Sequence, residues 1–140
     1  MPPSVHVTVT QRGARRIAST GSPWEPVVGY SRAVRVGSMI AVTGTVGIQP
    51  DGTFPPSLVA QTRRALTIIV AALEALGGTV EDVVRTRIYV TDITQWEDVG
   101  KVHGEVFGEI RPATTMVQVA RLIDPAALVE IEADAVVLEG

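Results

Sequence analysis

Hydrophobic and polar residues alternate most regularly near the end of the chain, between Pro112 and Val137. In the first of two runs, Thr115, Val117, Val119 and Arg121 point to one side of an extended strand. Thr114, Met116, Gln118 and Ala120 point to the other. In the second run, Val129, Ile131, Ala133, Ala135 and Val137 form an apolar face, with Glu130, Glu132 and Asp134 opposite. Asp124-Pro125 between them is a turn signal, because proline fixes φ and aspartate bonds the following backbone. The acidic row must meet water or cations, since an unpaired buried carboxylate is very costly.

Upstream, Val5, Val7 and Val9 alternate with His6, Thr8 and Thr10, which predicts a short first strand. The turn-forming stretch Ala18 to Pro26 reads as a loop, with Trp24 packed over a core edge beside Glu25. Tyr30 to Val36 and Met39 to Thr45 read as strands around a Gly37-Ser38 turn. Gly44 and Gly47 break the second of them, where a bulge or a close backbone approach is expected. Ser57 is placed to cap a helix over Leu58 to Leu76, with Leu58, Ala65, Leu66, Ile69, Leu73 and Leu76 as its apolar stripe. Gly77-Gly78 stops it. Thr79 to Asp82 is a capping box, and Val84 to Asp92 the next strand, with Arg85, Arg87 and Tyr89 alternating with apolar positions. A second box, Thr94 to Glu97, opens a helix to about Phe107 whose stripe is Trp96, Val99, His103, Val106 and Phe107. His103 therefore reads as a hydrogen-bonded core histidine and His6 as a solvated one.

Strands and helices intermingle, so the fold class is α+β in two layers: a mixed sheet of about six strands covered on one face by two helices. Residues 1–140 read as one domain, 1–27 being an N-terminal strand and loop. Neighbouring strands with matching pleat would bring Arg85 or Arg87 within ion-pair reach of Glu130, Glu132 or Asp134.

Composition narrows the chemistry. The absence of cysteine excludes disulfides, thiolate zinc sites and a cysteine nucleophile, and two histidines exclude a His-rich metal site within one chain. No leader-like or membrane-spanning run appears, so a cytoplasmic protein without a membrane partner is expected. Net charge is −3 and aromatics are 4% of the chain, which argues against nucleic acid as a partner. Arg12, Arg15 and Arg16 read as a solvated surface. Hydrophobic residues make up 46%, and mean hydropathy is +0.27, which suggests apolar surface hidden by self-association. No nucleophile elbow, P-loop, dinucleotide fingerprint or H-E-x-x-H motif is present. The polar candidates are Tyr30, Thr43, Thr114, Thr115 and Glu130, with Arg32, Arg111 and Arg121 read by default as surface residues.

The closing run Pro112-Ala-Thr-Thr-Met-Val-Gln-Val-Ala-Arg-Leu-Ile, followed by Val129-Glu-Ile-Glu-Ala133, resembles the signature of the RidA/YjgF family. Gly29-Tyr30, Val42 to Thr45, Gly77-Gly78 and Val90 to Ile93 resemble its other blocks, and the likeness runs from about Val28 onward. The resemblance implies a chorismate-mutase-like domain and a homotrimer with a central barrel and a ligand cleft at each subunit boundary. It also implies cofactor-independent hydrolysis of enamines or imines to oxo compounds and ammonia. Carried over by position, Tyr30 and Glu130 are the catalytic candidates. Thr43, Gly44, Thr114 and Thr115 line the small-molecule site, and Trp96 is lent by the neighbouring subunit. Thr114 stands where the family has a carboxylate-binding arginine, so a substrate other than a simple 2-imino acid is expected. A metabolite-binding trimer without turnover is the alternative, and the ribonuclease or translation-inhibitor activity attached to some relatives is the second alternative.

Overall fold

In the computed structural model, which describes residues 4–138, one mixed sheet of seven strands carries two helices on one face. The strands are β1 (Thr8–Arg12), β2 (Arg15–Ser19), β3 (Ala33–Val36), β4 (Met39–Val46), β5 (Val83–Val90), β6 (Ala113–Gln118) and β7 (Val129–Val136). The helices are α1 (Leu58–Ala75) and α2 (Trp96–Phe107). The sheet order is β1-β2-β3-β4-β7-β5-β6, with only β5 and β6 parallel. Among the described residues no helix is long and apolar enough to cross a membrane.

Local chemistry sets most boundaries. The Ser57 hydroxyl accepts the Ala60 N–H at 3.1 Å, capping α1. The stripe Leu58, Ala65, Leu66, Ile69, Leu73 and Leu76 is buried against the sheet. Gly77, with φ +83°, ends the helix, and the Gly78 N–H closes back on the Leu73 carbonyl at 2.8 Å. Thr79 and Asp82 form the reciprocal box expected of them. Asp124 accepts the Ala126 N–H at 2.8 Å and makes the turn before β7.

Three expectations need correction. The sheet has seven strands because Arg15–Ser19, read as surface and loop, pairs with both β1 and β3 and buries Ala18 completely. Gly13-Ala14 is the two-residue hairpin turn that permits this, with Gly13 at φ +59°. The first strand accordingly begins at Thr8 rather than Val5. Thr94 does not open the second helix: Asp92 accepts the Thr94 N–H at 3.0 Å, a short 3-10 turn follows over Ile93–Gln95, and α2 starts at Trp96. Trp96 lies outside the core, 54% exposed.

The two faces of the sheet differ sharply. On the helix side, Ile40, Val42, Ile88, Val90 and the apolar row of β7 are buried against α1 and α2. On the other side the acidic row finds partial neutralisation. Arg87 lies 3.2 Å from Asp134 and 3.9 Å from Glu132, and the Tyr89 hydroxyl donates to Glu132 at 2.5 Å. The register Arg87↔Glu132 places these groups together, as the alternation predicted, with Arg87 as the cation. Met39 and Val136 pair on the same side and stay exposed, as does Val117 beyond them.

Candidate functional site

The β4–β7 ladder slips between Val42 and Thr45, so Thr43 and Gly44 sit in a bulge facing the start of β7. A Cβ on Gly44 would land on the Glu130 Oε2, which explains why glycine occupies that position. Glu130 is half-buried and makes no hydrogen bond or ion pair with a described residue. Burial raises its proton affinity, with repulsion from Glu132 adding and attraction to Arg32 opposing. Thr43 donates its hydroxyl to the Ser31 carbonyl at 2.6 Å.

The second wall comes from the segment before β3. Glu25 is buried and accepts the Ser22 N–H at 2.9 Å, opening a short helical turn over Glu25–Gly29. Gly29, at φ +87°, leads out of it into Tyr30. The Tyr30 hydroxyl is only loosely held, 3.4 Å from the Ser22 hydroxyl and 3.4 Å from Arg32 Nη2. Tyr30, Thr43, Gly44 and Glu130 line one cavity of about 580 Å³, together with Trp24, Arg32 and Arg64. Trp24 thus faces this cavity rather than capping a core edge. Arg32, read from sequence as a surface residue, is 5% exposed.

The remaining candidates lie elsewhere in the chain. Thr114 and Thr115 are on the edge strand β6, and Trp96 opens α2; none lines the cavity. The parallel register Thr86↔Thr114 turns Thr114 toward the helix layer, where its hydroxyl lies 2.8 Å from the Thr86 hydroxyl. Thr86 also meets His103 Nε2 at 2.9 Å. His103 is the hydrogen-bonded histidine expected, tilted against Phe107 at 4.7 Å, and burial lowers its pKa. Thr115 pairs with Arg87 and faces the acidic side.

A family model described as Endoribonuclease L-PSP matches residues 20–137. The chain belongs to the RidA/YjgF family. A RidA/YjgF relative from Escherichia coli, 2-iminobutanoate/2-iminopropanoate deaminase, is 33% identical over 127 residues, 88% of this chain and 98% of that protein. An uncharacterised protein of Streptomyces coelicolor is 36% identical over 91% of this chain and 95% of its own length. Among solved structures, a Mycobacterium tuberculosis member of the YjgF/YER057c/UK114 family shares 54% identity, with a TM-score of 0.82. That match covers 88% of this chain and 99% of the other. Escherichia coli TdcF, solved with bound serine, is 32% identical with a TM-score of 0.72, over 76% and 87% of the two chains. The two-layer domain is therefore the chorismate-mutase-like fold of the RidA/YjgF chains.

Proposed function

We propose that this RidA/YjgF protein is a cofactor-independent hydrolytic deaminase of small imines or enamines, acting in a cleft that a second copy completes within a homotrimer. The observation that carries the reading is Glu130: a carboxylate of raised proton affinity, unbonded by described residues, in a cavity with a loosely held tyrosine hydroxyl. Such a group takes a proton from water as the water adds to the C=N carbon, and returns it to nitrogen. Glu130 then takes the carbinolamine hydroxyl proton and passes it to the amino nitrogen as the C–N bond breaks, leaving an oxo compound and ammonia. The Tyr30 hydroxyl donates to the developing oxygen.

Assembly supports the same reading. Thr114, Thr115 and Trp96 lie on the chain away from the cavity, so a second copy would have to bring its own set to the cleft. The exposed Met39, Val117 and Val136 on the open sheet face supply apolar surface for that contact. Light scattering is expected to give three times the 14.8 kDa chain mass. A monomer at micromolar concentration overturns the intersubunit cleft.

The substrate's headgroup is not held at position 114, where a threonine hydroxyl already engaged with Thr86 offers no charged fork. That same observation favours the second reading, a metabolite-binding trimer without turnover. The experiment follows imines generated in situ by oxidation of 2-amino acids and of longer amines, with semicarbazide trapping. The native protein is expected to accelerate hydrolysis of at least one imine, and Glu130→Gln to abolish the acceleration. Ligand binding with no imine hydrolysed faster than in buffer establishes the binding protein instead.

A further inference from the structure

Arg32 is buried, yet among the described residues no carboxylate stands within ion-pair distance of it. Its Nη1 donates to the Gly44 carbonyl at 2.9 Å and to the Thr45 hydroxyl at 3.1 Å. Its Nη2 makes one long contact, 3.4 Å, with the Tyr30 hydroxyl. Its Nε is buried and has no hydrogen-bond partner. The groups left over are not scattered. In a guanidinium the Nε–H and one N–H of Nη2 point the same way, forming the side-on fork that matches the two oxygens of a carboxylate.

The fork is also held still. Nη1 is anchored at both hydrogens, and the guanidinium carbon lies 5.5 Å from the centre of the Tyr30 ring. A buried cation with an unused donor edge is costly unless a partner completes it. Glu130 is near enough to feel the charge but makes no hydrogen bond to it. Arg64, also buried, lines the same cavity and donates its Nε to the Ile48 carbonyl at 3.0 Å, adding positive charge to the walls.

We propose that the Nε–Nη2 edge of Arg32 binds the carboxylate of this protein's ligand, so that the cavity takes a small carboxylic acid anchored beside Tyr30 and Glu130. This deepens the deaminase reading by naming the substrate's headgroup, and the headgroup assignment itself requires no turnover. The anchor is contributed by the chain that supplies Glu130, from the segment between Tyr30 and β3. The spacing from carboxylate to reacting carbon is therefore set within one subunit.

Propanoate and propanamide are nearly the same shape and differ in charge, so they test the headgroup without presuming where the imine lies. In titrations of the assembled protein, propanoate is expected to saturate and propanamide to bind at least about tenfold weaker. The Arg32 Nε–H resonance should move on adding propanoate and stay in place with propanamide, a readout that needs no mutation. Arg32→Lys keeps the charge and a donor for the Gly44 carbonyl but lacks the fork. It is expected to weaken propanoate by about tenfold or more, while Arg63→Lys on the exposed surface leaves it unchanged. Equal binding of the two probes, binding of neither, saturation without movement of the Nε–H, or native-like affinity in Arg32→Lys each overturns the proposal. Propanoate binding through Arg32 with no imine hydrolysed sinks the deaminase reading alone. Imine hydrolysis with KM unchanged in Arg32→Lys sinks the Arg32 assignment alone.

Discussion

Replacing Gln61 with methionine should be among the most destabilising single changes in this protein. Gln61 lies in the second turn of α1 and is 1% exposed. Its Nε2 donates to the carbonyls of Pro55 and Ala126, both at 2.9 Å, and its Oε1 accepts the Leu128 N–H at 2.8 Å. One side chain thus fastens α1 to the segment that leads directly into β7 and Glu130. Methionine conserves length and approximate volume but satisfies none of the three backbone groups. A neutral buried hydrogen bond contributes about 1 kcal/mol net, and each orphaned partner costs about 1–3 kcal/mol. Three such groups put the loss at roughly 3–9 kcal/mol, a large share of the ~5–15 kcal/mol that stabilises a typical domain. Urea unfolding at one fixed protein concentration measures it through the shift in midpoint. Gln61→Glu should be worse still at neutral pH, because it faces two carbonyl oxygens with a carboxylate, and should recover partly as the acid is protonated. A loss below about 1 kcal/mol in Gln61→Met would refute the reasoning, since water would then be replacing all three bonds.

Three further outcomes follow from the same geometry. Gly44→Ala should leave the melting temperature nearly unchanged, because the flexible Glu130 side chain can swing away. It should cut imine hydrolysis by about tenfold or more, and comparable losses in both would place the clash in the fold instead. Glu130 holds its proton more tightly in the folded protein than in the unfolded one, so its contribution to stability is greatest in acid and falls as pH rises from about 4.5. Glu130→Gln should therefore melt higher than the native protein at pH 7 and no higher well below pH 4.5, and a parallel pH profile for the two would contradict this. The Arg87 side chain is 41% exposed in the single chain, but the proposed trimer packs that sheet face against other copies, so Arg87→Ala should cost roughly 3–5 kcal/mol in the assembled protein. A loss under about 1 kcal/mol that shrinks further with salt would mean that the acidic face stays open to solvent.

What was legible in the sequence was what local chemistry decides. Ser57, Gly77 and Asp124 mark their boundaries because a cap or turn involves groups only a few residues apart. The alternation in β5 and β7 fixed which side chains share a face, and so foretold the meeting of Arg87 with the acids. The β1–β2 hairpin escaped because Arg15 and Arg16 interrupt the apolar pattern, the edge strand β1 is exposed throughout, and β2 fully buries only Ala18. Only the Gly13-Ala14 turn announced it. Arg32 was misread for a different reason. Its burial comes from the β4 bulge and from the turn before Tyr30, whose effects converge across twelve residues of chain. The bonding of Thr114 to Thr86 likewise depends on a parallel register that no local pattern specifies.

The place of β7 in the sheet has a consequence for how the protein comes into being. It is the last strand along the chain, yet it lies between β4 and β5 and is bonded to both. Before it emerges from the ribosome, β1–β4 and β5–β6 are two half-sheets, each with an unpaired edge where β7 belongs. Neither can close on the other. The nascent chain therefore cannot complete the sheet until β7 has been made, and then assembles through contacts distant in sequence. Loss of the final dozen residues before Val136 would remove the keystone and leave two fragments of a sheet, rather than a shortened version of the same molecule.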